Sequence, residues 1–482
     1  MRIVATHLPY VNSADLFEKV AHQPWAVFLD SGQLEKGLAV TEHVNFDVLA
    51  IKPQSTLVFD GEQTLLTEGA ATECLNGDPL AILKSVLPTV ENPEQHAYVP
   101  GSIGYFSYDL ARYYEALPVL ADDPESLPVM AVGIYHVVIV VDHKQQKTTL
   151  LQIEPDGSDT QAIAAEWQVL IQGQLNPAHD SPAPMVLGSE SANVGAGCDG
   201  LVSGVLQENM SRADYARHFS RIREYTLKGD CYQVNLTKQF SVPADGEAWP
   251  TYRYLREKSP APYGAFMHFP FATVLSNSPE SFIQCRDRQV TTSPIKGTSP
   301  RNHLDLTIDK ANADALLNSP KDRAENLMIV DLMRNDLSRC CELGSVTVPK
   351  LFEVHSFANV HHLISRVCGV LNTNTHALDL LRSCFPGGSI TGAPKIRAMQ
   401  IIEELEPTRR GLYCGAIGYI GVDGNLETSI AIRTIVVKDG VARYSAGGGL
   451  VVDSEEESEY QELLDKSKMM KKALFRNSST LS

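Results

Sequence analysis

A lysine stands between apolar Ile295 and Gly297 in Ser-Pro-Ile-Lys-Gly-Thr (293–298), directly after a strand-like run, Gln289 to Thr292. In a surface turn Lys296 is a solvated cation. Walled in, its ammonium is disfavoured, its pKa falls, and a neutral amine becomes available as a nucleophile. Asn-Ser-Pro-Glu-Ser-Phe (277–282) sets Glu280 at another strand-to-turn edge. There a carboxyl group can exchange a proton with that amine or with a substrate hydroxyl, although in open water it would be an ordinary turn residue. Arg433 sits within Ser-Ile-Ala-Ile-Arg-Thr-Ile-Val (429–436), which reads as one strand. Alternation puts Ile430, Ile432 and Val436 on one face and Ser429, Ala431 and Arg433 on the other. A long cation beside two small residues leaves room for a bound anion; a structural salt bridge is the alternative.

Carboxylates recur on two helical segments. Glu455, Glu459, Glu462 and Lys466 follow one another at spacings of four, three and four, so they share a stripe. Glu325 lies in KDRAENLMIVDLMRND (321–336), whose mainly apolar continuation should be buried. Most acidic stripes face water, but two carboxylates converging from different helices suit a hard cation such as Mg²⁺, which keeps water and joins a ligand's oxygens. FPGGSITGAPK (385–395) has Ala393 where a phosphate loop needs lysine, so nucleotide binding is rejected. What remains is a glycine-rich lead-in to a helix capped by Thr391, with Pro394 in its first turn and backbone N–H groups able to hold a carboxylate. GAIGYIG (415–421) lacks the spacing of a dinucleotide fingerprint.

The elements that must carry these groups follow from pattern. Ser211 and Asp214 form a capping box, Tyr215, Phe219, Ile222 and Tyr225 line one helical face, Gly229 stops the helix, and Cys231 to Leu236 follows as a strand. Leu412 to Ile420, Glu427 to Val437 and Val441 to Val452 read as strands joined by Asp423-Gly424 and Asp439-Gly440, both hairpin signals. A helix closes the segment from Glu455 to Phe475. Upstream, Trp25 to Phe28, Thr56 to Phe59 and Val129 to Val141 read as strands, the last as one buried strand, too short to cross a membrane as a helix. Residues 176–204 are rich in Pro, Gly, Ser and Ala without periodicity and read as a linker between 1–175 and 205–475. Strand clusters beside amphipathic helices argue for a layered α/β or α+β architecture.

The 482-residue chain has the composition of a globular protein. Its 41 basic against 58 acidic residues, net −17, argue against nucleic-acid binding. An anion could enter only where local Arg, Lys or metal reverses the field. Nine cysteines without a CxxC pair, and a first twenty residues lacking a secretory layout, point to the reducing cytoplasm.

Taken in order, GDCYQVNL, NSPESF, PIKGT, DRAENLMIVDLMRND, VHHLIS, FPGGSITGAPKIRAM, CGAIGY, TSIAIRT and AGGGLVVDSEEESEYQE resemble the chorismate-utilising enzymes, most closely the aminodeoxychorismate synthase component I family. The likeness covers about 205 to 470, and PWAVFLDSG (24–32) and GYFSYDL (104–110) look like that family's other lobe. It implies an α+β fold layered α/β/β/α: two large, mainly antiparallel sheets packed as a sandwich, helices outside, with the N-terminal lobe interleaved. It implies Glu325 and Glu462 on Mg²⁺, Glu459 on the metal's waters, and Tyr413, Arg433, Lys466, Gly447 and Gly449 on the carboxylates of chorismate. Thr298 and His362 would line the ring.

Lys296 discriminates within the resemblance, because anthranilate synthases look like PIAGT where this chain has PIKGT. The implied reaction is of aminotransferase class: chorismate and glutamine give 4-amino-4-deoxychorismate, for p-aminobenzoate and folate, and glutamate. Lys296 would attack C2 with Glu280 as acid, and ammonia would come from a separate glutamine amidotransferase subunit, no Cys-based glutaminase triad being recognisable. Some relatives hold tryptophan near segments like 28–32 and 259–266, which points to Ser31, Pro262 and Tyr263 as a second site. The alternatives are anthranilate synthase component I and a non-catalytic chorismate- or tryptophan-binding subunit.

Overall fold

The computed structural model describes residues 1–32, 45–154, 158–175, 201–357 and 360–476. Two twelve-stranded sheets, every named pair antiparallel, carry helices outside them, the α+β sandwich expected. Each sheet takes five strands from the N-terminal part of the chain and seven from the C-terminal part. In the first, Ala26–Asp30 pairs with Tyr263–Phe269; in the second, Gly101–Phe106 pairs with Ala416–Gly421. The apolar inner faces meet in one large core that includes Tyr105, Met267, Ile283 and Ile417 from both ends of the chain. Folding the two halves therefore buries a shared interior, worth roughly 1.5–3 kcal/mol for each large apolar side chain removed from water.

In three places a connection of three residues or fewer carries the chain from one sheet to the other. Met130–Tyr135 lies in the second sheet and Val137–Asp142 in the first, so the run read as one strand breaks at His136. Ala272–Ser278 lies in the first and Ser281–Arg286 in the second, joined by Pro279-Glu280. Leu426–Ile430 lies in the second and Thr434–Lys438 in the first, so the expected single strand through Arg433 is also broken. Arg433 itself has a left-handed φ of 51°, which overturns the alternation that gave its face. The last two crossings run side by side: Ile430 N–H donates to Glu280 O at 3.0 Å and Asn277 N–H donates to Arg433 O at 3.1 Å.

The helices obey their local signals. Asp214 N–H donates to Ser211 Oγ at 3.1 Å and Ser211 N–H to Asp214 Oδ2 at 2.8 Å, completing the box. Gly229 stops the helix at φ 80°, which costs glycine little. The strand that follows runs Gln233–Pro243, later than expected. Both hairpins form at Asp423-Gly424 and Asp439-Gly440, one in each sheet. The expectation at Thr391 fails: its hydroxyl donates to Gly387 O at 2.9 Å, and Pro394 occupies the cap position of helix Lys395–Leu405.

Most of the linker expectation, residues 176–200, lies outside the described residues; of the rest, Leu201 is buried and Val202 bridges Ala244. The eight described cysteines are free thiols. No helix among the described residues is long and apolar enough to cross a membrane.

Candidate active site

The paired crossings part the sheets and leave a cavity of about 460 Å³ beside them. This is the size of a small-molecule site. Its wall is completed by Ile295–Pro300, by the glycine-rich end of Val441–Leu450, by helix Pro320–Ser338 and by the closing helix Glu456–Leu474. Lys296, Glu280, Thr298, His362, Tyr413, Arg433, Gly447, Gly449, Lys466, Glu325, Glu462 and Glu459 all line it. Twelve residues spread over nearly two hundred positions thus converge on one space.

Lys296 stands in a strand, not the surface turn its sequence allowed. That strand pairs with Val360–Val370 through a register shift between Ile295 and Thr298, absorbed by Gly297 at φ 86°. The bulge turns the lysine toward the cavity. Burial pushes its pKa below the ordinary amine value, with Glu325 pulling the other way. No ion pair with an acidic side chain forms within 4.0 Å among the described residues. Glu280, at the crossing, is 7% exposed, so it is no solvated turn residue. Burial raises its pKa, while Ser389, Lys296 and Lys466 partly offset this.

Thr298 Oγ1 and His362 Nδ1 are 3.0 Å apart across that strand pair. Burial, then the Arg433 charge, pushes His362 down to about 3, so the imidazole is neutral at ordinary pH. Burial also disfavours the charge on Arg433, which has no carboxylate partner among the described residues. An anionic ligand would relieve both. At Gly447 a Cβ would collide with the backbone carbonyl of Leu236 on the neighbouring strand, so the cavity floor there must be bare backbone.

The acidic side is less tightly gathered. Glu325 comes from one helix and Glu459 and Glu462 from the other. Glu459 Oε1 accepts from Ser454 Oγ at 2.7 Å and faces Lys321 Nζ at 3.3 Å; Glu462 Oε1 pairs with Lys466 Nζ at 2.7 Å. Glu455 stands outside this group, at the helix cap. Burial raises Glu325; at Glu462 burial opposes ionisation, but Lys466, Lys296 and Lys321 outweigh it and hold the pKa below the usual carboxylate value. Among the described residues no three His, Cys, Asp or Glu gather closely enough to hold an ion alone. Mg²⁺ does not need three: one or two carboxylates, waters and substrate oxygens serve, and this hard-oxygen donor set on facing helices fits it.

Sequence reasoning missed three residues. Ser389 Oγ donates to Glu280 Oε1 at 2.7 Å, Asn235 Nδ2 donates to Ser389 O at 3.1 Å, and Lys321 joins Glu459. Ser389 and Glu280 are 109 residues apart, so no local spacing could have joined them.

Ser31, Pro262 and Tyr263 line a different cleft between the sheets, of about 50 Å³. That is room for a water or two.

The chorismate binding enzyme family profile matches residues 37–472. The chain is 44% identical to aminodeoxychorismate synthase component 1 of Klebsiella aerogenes over 93% of this chain and 94% of that protein. It is 43% identical to the protein of that name from Escherichia coli strain K12, over 93% of each. The crystal structure of anthranilate synthase component I from Streptococcus pneumoniae TIGR4 superposes with a TM-score of 0.75 at 31% identity, covering 91% of this chain and 94% of that one. With that fold and these relatives, the chain belongs to the chorismate binding enzyme family.

Proposed function

We propose that the protein aminates chorismate at C4, giving 4-amino-4-deoxychorismate for p-aminobenzoate and folate synthesis. The observation that carries this is Lys296: a cavity-facing amine, its pKa lowered by burial, sharing one wall with a buried carboxyl at Glu280. The name shared by the relatives that are 44% and 43% identical supports the same reading.

Neutral Lys296 Nζ bonds to C2, electrons shift through the ring diene, and the C4–O bond breaks. Glu280 gives its proton to the departing hydroxyl, which leaves as water. Ammonia then bonds to C4, the electrons return, and the C2–N bond to Lys296 breaks, freeing the amine. Glu280 recovers a proton from the new ammonium group, and the enolpyruvyl ether is untouched. Each half is easier than direct displacement because the intermediate is covalent. Arg433, Tyr413, Lys466 and the bare backbone at Gly447 and Gly449 hold the carboxylates, and Thr298 and His362 border the ring. Glu325 and Glu462, with Glu459 behind them, would hold Mg²⁺, which supplies positive charge for the ring carboxylate. The relatives' designation as component 1 supports a second component, read here as a glutamine amidotransferase that delivers ammonia.

Purified protein with chorismate, Mg²⁺ and an ammonium salt tests the reading. An amine retaining the enolpyruvyl group is expected; anthranilate with pyruvate would overturn it. Tryptophan at Ser31, Pro262 and Tyr263 is a separate proposal that requires the small cleft to open, and equilibrium dialysis without retained tryptophan removes it.

A further inference from the structure

Glu280 is held by a chain of hydrogen bonds that starts on another strand of the first sheet. Gln233 Nε2 donates to Asn235 Oδ1 at 3.0 Å, Asn235 Nδ2 donates to Ser389 O at 3.1 Å, and Ser389 Oγ donates to Glu280 Oε1 at 2.7 Å. Gln233 and Asn235 belong to strand Gln233–Pro243 of the first sheet, and Ser389 to the short turn Gly388–Ile390. That turn is clamped: a Cβ on Gly388 would lie 2.4 Å from Leu332 Cδ2, so the backbone presenting Ser389 packs directly on helix Pro320–Ser338. A serine on a mobile turn would donate intermittently; this one has its own carbonyl tied and its neighbour wedged.

We propose that Ser389 is a positioning residue for Glu280: its hydroxyl, steadied by Asn235, fixes one carboxyl oxygen and with it the plane from which the carboxyl meets the substrate. This rests on the proposed reaction and deepens it. When Glu280 surrenders its proton to the leaving hydroxyl, the charge left on the carboxylate falls on an oxygen that already accepts from Ser389, a donor that need not reorganise. A carboxyl buried at a sheet crossing has little water to do the same.

The test compares wild type, Ser389→Ala and Ser389→Thr in the ammonium assay, with product identity read by mass. Wild type forming no enolpyruvyl-retaining amine sinks the proposed reaction itself and leaves no basis for this inference. With the wild-type product in hand, Ser389→Ala should lower kcat roughly 10- to 100-fold with the KM for chorismate unchanged. Loss of the donor should also move the break in the pH–rate profile that belongs to Glu280 to higher pH, because the carboxylate has lost a stabilising donor. Ser389→Thr, which keeps a hydroxyl, should restore both rate and profile. A Ser389→Ala enzyme with wild-type kcat overturns the inference. So does one whose rate falls with that pH break unmoved, and so does failure of Thr to rescue while the melting temperature stays at the wild-type value.

Discussion

The two clefts between the sheets treat charge in opposite ways. Around Ser31 every buried carboxylate is answered. Asp47 accepts from Ser13 Oγ at 2.5 Å, from Ser31 N–H and Oγ at 2.8 Å each, and faces His143 Nε2 at 2.7 Å. Asp30 accepts from Tyr252 Oη at 2.9 Å and Arg256 Nε at 2.7 Å. The space left is about 50 Å³. In the larger cavity, about 460 Å³, Lys296 and Arg433 have no carboxylate partner within 4.0 Å among the described residues. Ion pairs that close on themselves hold a fold in register. Basic groups left without partners, beside space, hold a site ready for an anion and leave an amine free to lose its proton.

The largest expected effect separates the two regions by activity. Lys296→Ala should reduce C4 amination on the order of 10⁴-fold, as loss of a covalent nucleophile does. Its denaturation midpoint should stay at or above wild type, because no ion pair is broken. Full turnover in that variant sinks the covalent route. Next come two arginines that the comparison sets against each other. Arg256→Ala leaves Asp30 and Asp47 short of their cation and should destabilise by about 3–5 kcal/mol in urea titration. Arg433→Ala should change stability by less than about 1 kcal/mol while raising the KM for chorismate at least tenfold. Equal destabilisation by both would erase the distinction. A smaller effect is expected from chelation: EDTA should weaken chorismate binding in calorimetry yet leave the ligand-free melting curve in place, since Lys466 and Lys321 already face Glu462 and Glu459.

Much of this was legible in the sequence because its signals are local. The capping box at Ser211, the stop at Gly229 and the two Asp-Gly hairpins each depend on neighbours a few residues away. The sheet crossings were not legible. Met130–Tyr135 and Val137–Asp142 are buried on both faces, so nothing in an unbroken apolar run marks where the chain changes sheet at His136. The same blindness hid the break at Arg433, whose left-handed backbone ends the alternation that assigned its face. In the site, Lys296 and Glu280 stood out by residue type and neighbours. Ser389 did not, because its partner lies 109 positions away and its own motif resembles a phosphate loop more than a hinge for a carboxyl. Thr391, the more conspicuous hydroxyl in that motif, is occupied by its own turn.

The finest distinction between the clefts is one of pH. Burial alone would raise Asp47, but His143, Arg256 and Ser13 outweigh it and hold the carboxyl at about 2, below the ordinary 3.8. A native pKa lower than the unfolded one stabilises above the unfolded value and is lost as pH falls through the native value. The Asp47 contribution should therefore fade as pH falls from near 4 toward about 2. His143 runs the other way. Burial opposes its charge, yet Asp47 raises its pKa above 6.5, so its contribution is complete below that value and declines as pH climbs through the raised one. Urea midpoints measured across both windows should show a broad maximum in weakly acid solution, and Asp47→Asn should flatten both shoulders together because one hydrogen bond joins the two groups. Glu280→Gln should leave the alkaline shoulder as it is, since that carboxyl faces the other cleft. If Glu280→Gln flattened the alkaline shoulder as Asp47→Asn does, the charges of the two clefts would be coupled through the sheets, and the division between a region that stabilises and a region that reacts would fail.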